Sequence, residues 1–325
     1  MRTVLVTGAA GFIGAHLAEH LLGDSKTQVL ALDDLSSASA VEKLSGLDKQ
    51  RVEFVEGSIT DASLVDFLVR DSNAVINLAA WSHNDTSIVN PEPFIQANII
   101  GTFNLLQSAV KHKKRFHQVS TDEVFGDTEV GSQELFNELS PYRASSPYSA
   151  SKAAADQLVM AWTRTYQLDA TISYSANNFG EYQHPEKFIP RQVTRLLNGK
   201  PIEIYGTGDN VRNWIDVKEH ARGIAHILAN RGVSNTYCIS GPTSISNLSL
   251  ANNLLQVMDL DQESLKFIAD RPGHDRRYSM DSGRIRQELG FEASAVDIST
   301  SLASLVRWYE SNRTWWEPLV AVEDR

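Results

Sequence analysis

Short apolar runs alternate with longer amphipathic stretches through the first half of the chain. Positions 3–7, 29–32, 52–55 and 75–80 are mostly apolar and β-branched, with Glu53 and Asn77 as the exceptions. Runs of this length, bounded by glycine or polar residues, are typical of strands. Residues 12–22 lie between the first two runs and carry apolar residues at helical spacing. Strands that alternate with helices predict an α/β fold with a doubly wound parallel sheet.

Two longer helices and a further strand are predicted next. Residues 91–111 favour a helix, and residues 116–120 favour a strand. Another helix is predicted from Pro147 through Tyr166, because Ser146 is a good cap and proline is favoured in the first turn. The apolar face of the first of these helices is supplied by Phe94, Ile95, Ile99, Phe103 and Leu106.

The alternation loosens beyond about residue 177, where loops rich in proline, glycine and asparagine appear. A chain of 325 residues also exceeds the commonest size of a single domain. We therefore predict two coupled domains around one cleft. Residues 1–176 carry the sheet, and residues 177–325 form mainly a smaller C-terminal domain, with some segments returning to the sheet.

Composition narrows the classes of partner. The chain has 30 Lys and Arg against 40 Asp and Glu, a net charge of −10, which argues against nucleic acid as the main partner. No stretch reaches the roughly 18 apolar residues of a membrane span, and the N-terminus does not have the pattern of a signal peptide. With Cys238 as its one cysteine, the chain is expected to be cytoplasmic. The nine histidines show no metal spacing, so we expect no metal site, and His16 and His20 are expected on the solvated face of the first helix.

Three glycines after the first strand indicate a dinucleotide site. Gly8, Gly11 and Gly14 lie between the predicted strand and helix, where a tight turn and the helix N-terminus can receive a diphosphate. Asp33 ends the second strand, 19 residues after Gly14. A carboxylate there accepts hydrogen bonds from a ribose hydroxyl and repels a 2′-phosphate, which favours NAD over NADP. The sheet is thus predicted to be an NAD-binding domain of the Rossmann type.

Tyr148 and Lys152 are four residues apart on the helix that starts near Pro147, so they share one face. A tyrosine and a lysine at this spacing are common by chance and, alone, indicate a structural role. Behind a dinucleotide motif the catalytic interpretation is favoured. The ammonium would lower the pKa of the phenol, which could then take a hydroxyl proton as hydride leaves the same carbon.

Thr121, Asp122 and Glu123 follow the strand at 116–120, and ligands of parallel sheets bind at the carboxyl ends of the strands. Successive strand residues point to opposite faces. Both carboxylates can therefore enter one cleft only if regular strand geometry has ended by Asp122. In isolation, the two acids would be an ordinary acidic loop.

The segments Ser120–Asp127 and Ser146–Lys152 resemble the extended short-chain dehydrogenase/reductases and, within them, the dTDP-glucose 4,6-dehydratases. The resemblance runs from Val4 to about Leu289 and includes the segments 177–180, 185–187, 204–206 and 271–278.

The resemblance implies a reaction in which NAD is regenerated. Tyr148 would take the proton of the sugar 4-hydroxyl while hydride passes from C4 to NAD, and Thr121 would bind O4. Glu123 would remove the C5 proton, Asp122 would protonate the leaving C6 hydroxyl, and hydride would return to C6. Asp122 must be protonated when it acts, so its pKa is predicted to be raised.

The resemblance also implies binding residues and a homodimer in which the helices 91–111 and 147–166 form a four-helix bundle with their copies. The catalytic residues implied are Thr121, Asp122, Glu123, Tyr148 and Lys152. The cofactor residues implied are Gly8, Gly11, Phe12, Ile13, Gly14, Asp33, Asp34, Leu35, Ser36, Ser58, Ile59, Leu78, Ala79, Ala80, Ser82, Ala97, Tyr148, Lys152 and Asn178. The residues implied for a nucleotide-diphosphate sugar substrate are Ser82, Thr121, Asn177, Lys187, Phe188, Glu203, Tyr205, Arg212, Asn247, Arg271 and His274.

The chain departs from the dehydratase pattern around the implied catalytic residues. Trp81 stands where these enzymes usually have glutamate, and Asn84 and Thr86 stand in place of valine and arginine. Further departures are Ser58, Ala97, Phe125, Phe179 and Glu203. Three alternatives remain open: a nucleotide-sugar 4-epimerase or decarboxylase, a dehydratase for another nucleotide sugar, and a non-catalytic dinucleotide-sensing protein.

Overall fold

The computed structural model describes residues 2–37, 39–129, 131–230, 232–270, 275–295 and 297–323. Its main sheet has seven parallel strands in the order β10-β6-β5-β4-β1-β2-β3. Two small sheets, β11-β9-β7 and β12-β8, lie in the second half of the chain. The strands are β1 (Arg2–Thr7), β2 (Thr27–Asp33), β3 (Val52–Glu56), β4 (Ala74–Asn77), β5 (Arg115–Thr121), β6 (Ala170–Ser175), β7 (Asn177–Phe179), β8 (Ile202–Tyr205), β9 (Val211–Asp216), β10 (Thr236–Ile239), β11 (Thr243–Ser246) and β12 (Leu265–Ile268).

Helices follow most of the strands, as expected of a doubly wound sheet. They are α1 (Phe12–Leu21), α2 (Val41–Ser45), α3 (Ala62–Asp71), α4 (Asn84–Val89), α5 (Glu92–Phe94), α6 (Thr102–Lys111), α7 (Pro147–Tyr166), α8 (Phe188–Leu197), α9 (Val217–Ala229), α10 (Asn247–Val257), α11 (Gly283–Leu289), α12 (Ile298–Ser311) and α13 (Arg313–Glu323). A π-helical segment (Ile95–Gly101) and 3₁₀ turns at Asp122–Phe125 and Gln262–Ser264 complete the assignment. The α/β fold with a parallel Rossmann-type sheet is confirmed.

Two hydrophobic clusters divide the buried side chains. The larger cluster surrounds the main sheet and includes Val4, Ile76 and Phe116. It also takes in residues from α9 and β10, which come late in the chain and return to the sheet. The smaller cluster joins the helices and short strands of the second half around Leu254 and Trp316. The domain boundary at residues 176 and 177 stays a prediction.

Strand predictions were confirmed in position and corrected in detail. The run 75–80 is a strand only as far as Asn77, because the chain leaves the sheet there to line the cavity described below. The run 52–55 forms β3 at the edge of the sheet, where Phe54 is 43% exposed.

The predicted helix 91–111 is interrupted by the π-helical segment Ile95–Gly101. Of its apolar residues, Phe94 and Leu106 are fully buried, whereas Ile95 is 43% exposed and Phe103 37% exposed. One turn of i→i+5 hydrogen bonds shifts the register of the side chains that follow it.

His16 is buried, so its expected exposure was wrong, whereas His20 is exposed as expected. Helix α9 packs on α1, and the His16 ring contacts Phe12 with its Nδ1 atom 2.8 Å from the Phe12 carbonyl oxygen. Burial lowers the pKa of His16 to about 4, so the imidazole is neutral. Among the helices that the structure describes, none has the length and apolar character needed to cross a membrane.

Candidate active site

A cavity of about 710 Å³ follows the carboxyl ends of the parallel strands and continues into the second half of the chain. The turns after β1, β2, β4, β5 and β6 all contribute residues to its wall. In a doubly wound sheet this is the edge at which ligands bind. The cavity therefore brings the predicted cofactor and substrate residues to one place.

The glycine turn after β1 forms one end of the cavity. Gly8 has φ +67°, and a Cβ on it would approach the Ala79 backbone nitrogen to 2.8 Å. A Cβ on Gly14 would collide with the Gly8 carbonyl oxygen. No side chain caps α1, whose N-terminus opens on the cavity. A close-packed turn followed by uncapped helical amides fits a diphosphate.

Asp33 fastens this turn to the end of β2. Its Oδ2 accepts the Ala10 amide and its Oδ1 accepts the Leu35 amide, both at 2.9 Å. Asp33 also lines the cavity, and a carboxylate has further lone pairs with which to accept a ribose hydroxyl. Burial raises the pKa of this carboxyl above its ordinary value.

Nearly all the residues predicted to bind the cofactor line the cavity. Leu35 and Ser58 are the exceptions: neither is among the lining residues, and Leu35 adopts φ +58° in the turn after Asp33. The predicted cofactor residues that do line the cavity are Gly8, Gly11, Phe12, Ile13, Gly14, Asp33, Asp34, Ser36, Ile59, Leu78, Ala79, Ala80, Ser82, Ala97, Tyr148, Lys152 and Asn178.

Regular strand geometry ends at Thr121, as the two adjacent carboxylates require. The 3₁₀ turn Asp122–Phe125 follows at once, and Thr121 Oγ1 caps it by accepting the Glu123 amide at 3.3 Å. Asp122 and Glu123 thereby both line the cavity. Their placement confirms that the chain leaves the strand before Asp122.

Asp122 is 2% exposed, and its Oδ2 atom has no hydrogen-bond partner among the described residues. Burial, together with the neighbouring Glu123 charge, raises the pKa of Asp122 from 3.8 to about 8. The prediction of a raised pKa is confirmed. At neutral pH this carboxyl is mostly protonated and can donate a proton.

Helix α7 presents Tyr148 and Lys152. A capping box between Ser146 and Ser149 starts the helix directly before Pro147. The predicted lowering of the pKa of Tyr148 by Lys152 was wrong for the protein in this state. The ammonium instead donates to the Val119 carbonyl at 2.7 Å, and burial with the Glu123 charge raises the pKa of the phenol.

Sequence reasoning missed a buried acid behind this pair. Asp156 lies four residues after Lys152 on α7 and is fully buried. Its Oδ2 accepts Ser120 Oγ at 2.5 Å, and burial raises its pKa to about 7 although Lys152 opposes the shift. The spacing from Lys152 was the signal that could have found it.

A second missed contact joins Asn84 Nδ2 to Glu123 Oε2 at 3.0 Å.

The far end of the cavity is lined by side chains from the second half of the chain. Arg212 on β9 is 7% exposed, donates to the Asp275 carbonyl at 2.9 Å and lies over the Tyr278 ring. Lys187 precedes α8 and donates to the Ser82 carbonyl at 3.2 Å. The predicted substrate residues that line the cavity are Ser82, Thr121, Asn177, Lys187, Phe188, Glu203, Tyr205, Arg212 and Asn247. Arg271 and His274 lie outside the described residues.

Glu203, one of the departures from the dehydratase pattern, is paired on β8. Its carboxylate lies 3.2 Å from Arg191 and 2.9 Å from Arg195. It therefore adds no uncompensated charge at this end of the cavity. In the part of the chain that the structure describes, no group of three His, Cys, Asp or Glu side chains could hold a metal ion.

A glycine turn, a Tyr–Lys pair and a serine/threonine at the end of the adjacent strand, on a parallel sheet, define an extended short-chain dehydrogenase/reductase. Residues 5–304 match the family described as GDP-mannose 4,6 dehydratase, and the chain belongs to this family.

Individual proteins to which the chain is similar agree with this family assignment. The dTDP-glucose 4,6-dehydratase of Mycolicibacterium smegmatis is 43% identical over 317 residues, covering 97% of this chain and 96% of the relative. The enzyme of the same name from Mycobacterium tuberculosis strain H37Rv is 44% identical with the same coverage. The crystal structure of DesIV, a dTDP-glucose 4,6-dehydratase from Streptomyces venezuelae with NAD and dTDP bound, has a TM-score of 0.93 at 43% identity. That match covers 98% of this chain and 99% of DesIV.

Proposed function

We propose that this protein is an NAD-dependent hydro-lyase, a nucleotide-sugar 4,6-dehydratase that converts dTDP-glucose to dTDP-4-keto-6-deoxyglucose and water. The observation that carries the proposal is the adjacent pair Asp122 and Glu123, brought into one cavity with Tyr148 and the glycine turn. Oxidation alone would need only Tyr148 and Lys152. The additional acid and base supply what elimination of water requires.

The glycine turn, Asp33 and the uncapped amides of α1 would hold the cofactor. NAD bound there would accept a hydride from C4 and, once reduced, return it to C6. Lys152 is buried on α7, four residues after Tyr148, and would bind the nicotinamide ribose. The regenerated cofactor is not consumed, so one bound molecule serves repeated turnovers.

Tyr148 takes the proton of the 4-hydroxyl in the first step, and Thr121 binds the oxygen that becomes the ketone. The two side chains are close enough that a Thr121 hydrogen bond opposes the raised pKa of Tyr148. Burial makes the phenol a weak acid in the free protein, and a cationic ring bound beside it would favour the phenolate.

The ketone at C4 acidifies the C5 proton, which Glu123 removes. Asp122 gives its proton to the departing C6 hydroxyl. The two roles need opposite protonation states in neighbouring residues, and the pKa of Asp122 near 8 provides the protonated partner. The Glu123 charge itself contributes to that shift, so the ionised base helps to keep the neighbouring acid protonated.

The alternative activities leave Asp122 without a role. A 4-epimerase oxidises and reduces C4, and a decarboxylase loses carbon dioxide from an oxidised sugar, so neither needs a buried acid to release a hydroxyl. A non-catalytic dinucleotide sensor would need none of Tyr148, Asp122 and Glu123. The dehydratase uses all three.

For the nucleotide, we propose dTDP, supported by the dTDP-glucose 4,6-dehydratases to which the chain is similar over nearly its full length. Arg212 and Lys187 would bind the diphosphate, with Asn177 and Asn247 beside it. Tyr205 would lie near the base. The pairing of Glu203 with Arg191 and Arg195 is compatible with a neutral base at this end of the cavity.

We further propose a cytoplasmic homodimer. Support for the dimer comes from exposed apolar side chains on the two helices expected to pair with their copies: Ile95, Ile100, Phe103 and Tyr166. Support for the cytoplasm comes from the one cysteine, Cys238, which is buried and free. Sedimentation of wild type and Phe103→Glu tests the dimer, because a buried charge at the interface should release monomers.

The proposed reaction is tested by incubating the protein with dTDP-glucose in deuterated water and weighing the sugar by mass spectrometry. Dehydration with exchange at C5 predicts a product lighter by one water and carrying one solvent deuterium. Recovery of unlabelled sugar of unchanged composition, from protein that still contains NAD, would reject dTDP-glucose as substrate. UDP- and GDP-sugars would then be compared in the same assay.

A further inference from the structure

Asn84 connects the loop after β4 to the proposed base. Its Nδ2 donates to Glu123 Oε2 at 3.0 Å, although the two residues are 39 positions apart in the chain. Both residues line the cavity. Asn84 stands where the resemblance to dTDP-glucose 4,6-dehydratases leads one to expect valine, which has no donor. The contact is therefore a feature of this chain's own sequence.

The backbone around Asn84 is fixed on both sides. Asn84 is the first residue of α4, and Ser87 Oγ donates to its carbonyl oxygen at 2.6 Å. Preceding it, the Trp81 amide donates to Asn98 Oδ1 at 2.9 Å, and Asn98 Nδ2 donates back to the Trp81 carbonyl at 3.1 Å. The side-chain amide of Asn84 is thus carried by a segment whose backbone is held by hydrogen bonds on both sides. A donor held in this way can restrict the carboxylate that it contacts.

Glu123 needs such restriction because it sits on a short 3₁₀ turn and carries a flexible side chain. A neutral amide that donates to a carboxylate stabilises the charged form and fixes the plane of the two oxygens. A base acts in its charged form and must meet the proton along a defined direction. Both effects act on one step of the proposed reaction, removal of the C5 proton.

We propose that Asn84 is a positioning residue for Glu123, which holds the carboxylate charged and oriented for removal of the C5 proton. This inference rests on the proposed dehydratase function. Asn84 contributes nothing directly to oxidation at C4, which Tyr148 serves. Its loss should therefore slow the second step and leave the first.

The test uses single-turnover kinetics with enzyme in excess over dTDP-glucose, for wild type, Asn84→Val and Asn84→Asp. The absorbance of the reduced cofactor reports oxidation at C4, and deuterium uptake from the solvent reports removal of the C5 proton. Asp has the shape of Asn but adds a like charge beside Glu123. Ser87→Ala is the matched control, because it removes a bond that braces α4 but leaves the Asn84 amide in place.

The proposal predicts that Asn84→Val slows deuterium uptake by about tenfold or more, the loss expected for a hydrogen bond to a charged group. The reduced cofactor should then accumulate, because C4 oxidation continues at its normal rate. Asn84→Asp should be slower still. Ser87→Ala should show no such accumulation.

Two results would overturn the inference while leaving the dehydratase intact. One is an Asn84→Asp enzyme that behaves like wild type, which would show that Asn84 only fills space. The other is a variant in which C4 oxidation and C5 exchange slow equally, which would indicate a general disturbance. Failure of the wild-type enzyme to dehydrate dTDP-glucose is a separate result, and it would reject the proposed function on which the inference stands.

Discussion

The two ends of the cavity differ in what forms their walls, backbone at one end and long side chains at the other. At the cofactor end the wall is mainly backbone: the turn at Gly8 and Gly14, the uncapped amides of α1 and the amides that Asp33 accepts. At the substrate end the wall is made of long side chains, such as Arg212 and Glu203, which come from separate strands. The chemical groups lie between the two ends.

This difference determines which residues of the cavity wall can be substituted without loss of the site. A backbone wall is lost when a Cβ intrudes, so it admits few substitutions. A wall of side chains can be altered one residue at a time without moving the backbone. The departures at Trp81, Asn84 and Glu203 line the cavity outside the glycine turn. Predictions for the two ends should therefore differ in size.

The largest effect is expected at the cofactor end. Gly14→Ala places a Cβ against the Gly8 carbonyl oxygen and should abolish NAD binding, measured as cofactor content after purification and by titration. Gly46→Ala is the matched control, because a Cβ there meets nothing closer than 3.5 Å. Normal NAD content in Gly14→Ala would refute a cofactor site built from backbone.

Tyr148→Phe should lower turnover by about 10²- to 10⁴-fold, the usual contribution of a positioned acid or base. NAD content should stay close to normal, because the glycine turn and Asp33, which would hold most of the cofactor, are unchanged. Steady-state product formation and cofactor content, measured on the same preparation, check both statements. Turnover within threefold of wild type, about the scatter of such assays, would remove Tyr148 from the mechanism.

Asp122→Asn should change how stability depends on pH. The folded protein holds the Asp122 proton up to about pH 8, whereas the unfolded chain releases it near the ordinary pKa of 3.8. Wild-type stability should therefore fall as pH rises between these values, since the native state binds more protons. Asp122→Asn has no carboxyl to ionise at this position, so its stability should not show this decrease. Its melting temperature relative to that of the wild type should change little near pH 4 and rise toward pH 8.

Calorimetry across this range tests the statement. Asp156→Asn is a useful comparison, because its advantage should level off nearer pH 7. A difference between wild type and Asp122→Asn that does not vary with pH would show that Asp122 is ionised in the folded protein.

The smallest effect is expected where the C-terminal helices meet the cofactor end. Trp315 Nε1 donates to the Ser39 carbonyl at 3.0 Å, and Ser39 lines the cavity. Trp315→Phe keeps an aromatic ring but removes the donor, so it should cost about 1 kcal/mol of stability. Urea unfolding of the variant and wild type measures this, and an unchanged midpoint would mean that the bond adds nothing.

The cofactor end could be predicted from the sequence because its parts are local. The strand, the glycines and the helix lie within residues 3–22, and the period of the apolar residues identifies each element. The short turn after Thr121 could also be inferred, since two adjacent side chains cannot enter one cleft from a regular strand.

The errors arose where distant segments decide the outcome. His16 is buried because α9 packs on α1 from more than 200 residues away. The Lys152 ammonium donates to the Val119 carbonyl on strand β5, rather than acting on Tyr148 as the helical spacing suggested. The contact of Asn84 with Glu123 joins the start of α4 to the 3₁₀ turn after β5, which no local pattern relates.

The central claim is that Asp122 and Glu123 carry separate halves of one elimination. The measurement that tests it most directly is mass spectrometry of the sugar after incubation of Asp122→Asn with dTDP-glucose in deuterated water. If Glu123 removes the C5 proton and Asp122 releases the hydroxyl, the variant should return dTDP-glucose carrying one deuterium, with little dehydrated product. Dehydration at the wild-type rate, or intact sugar without deuterium from enzyme that still oxidises C4, would contradict the account.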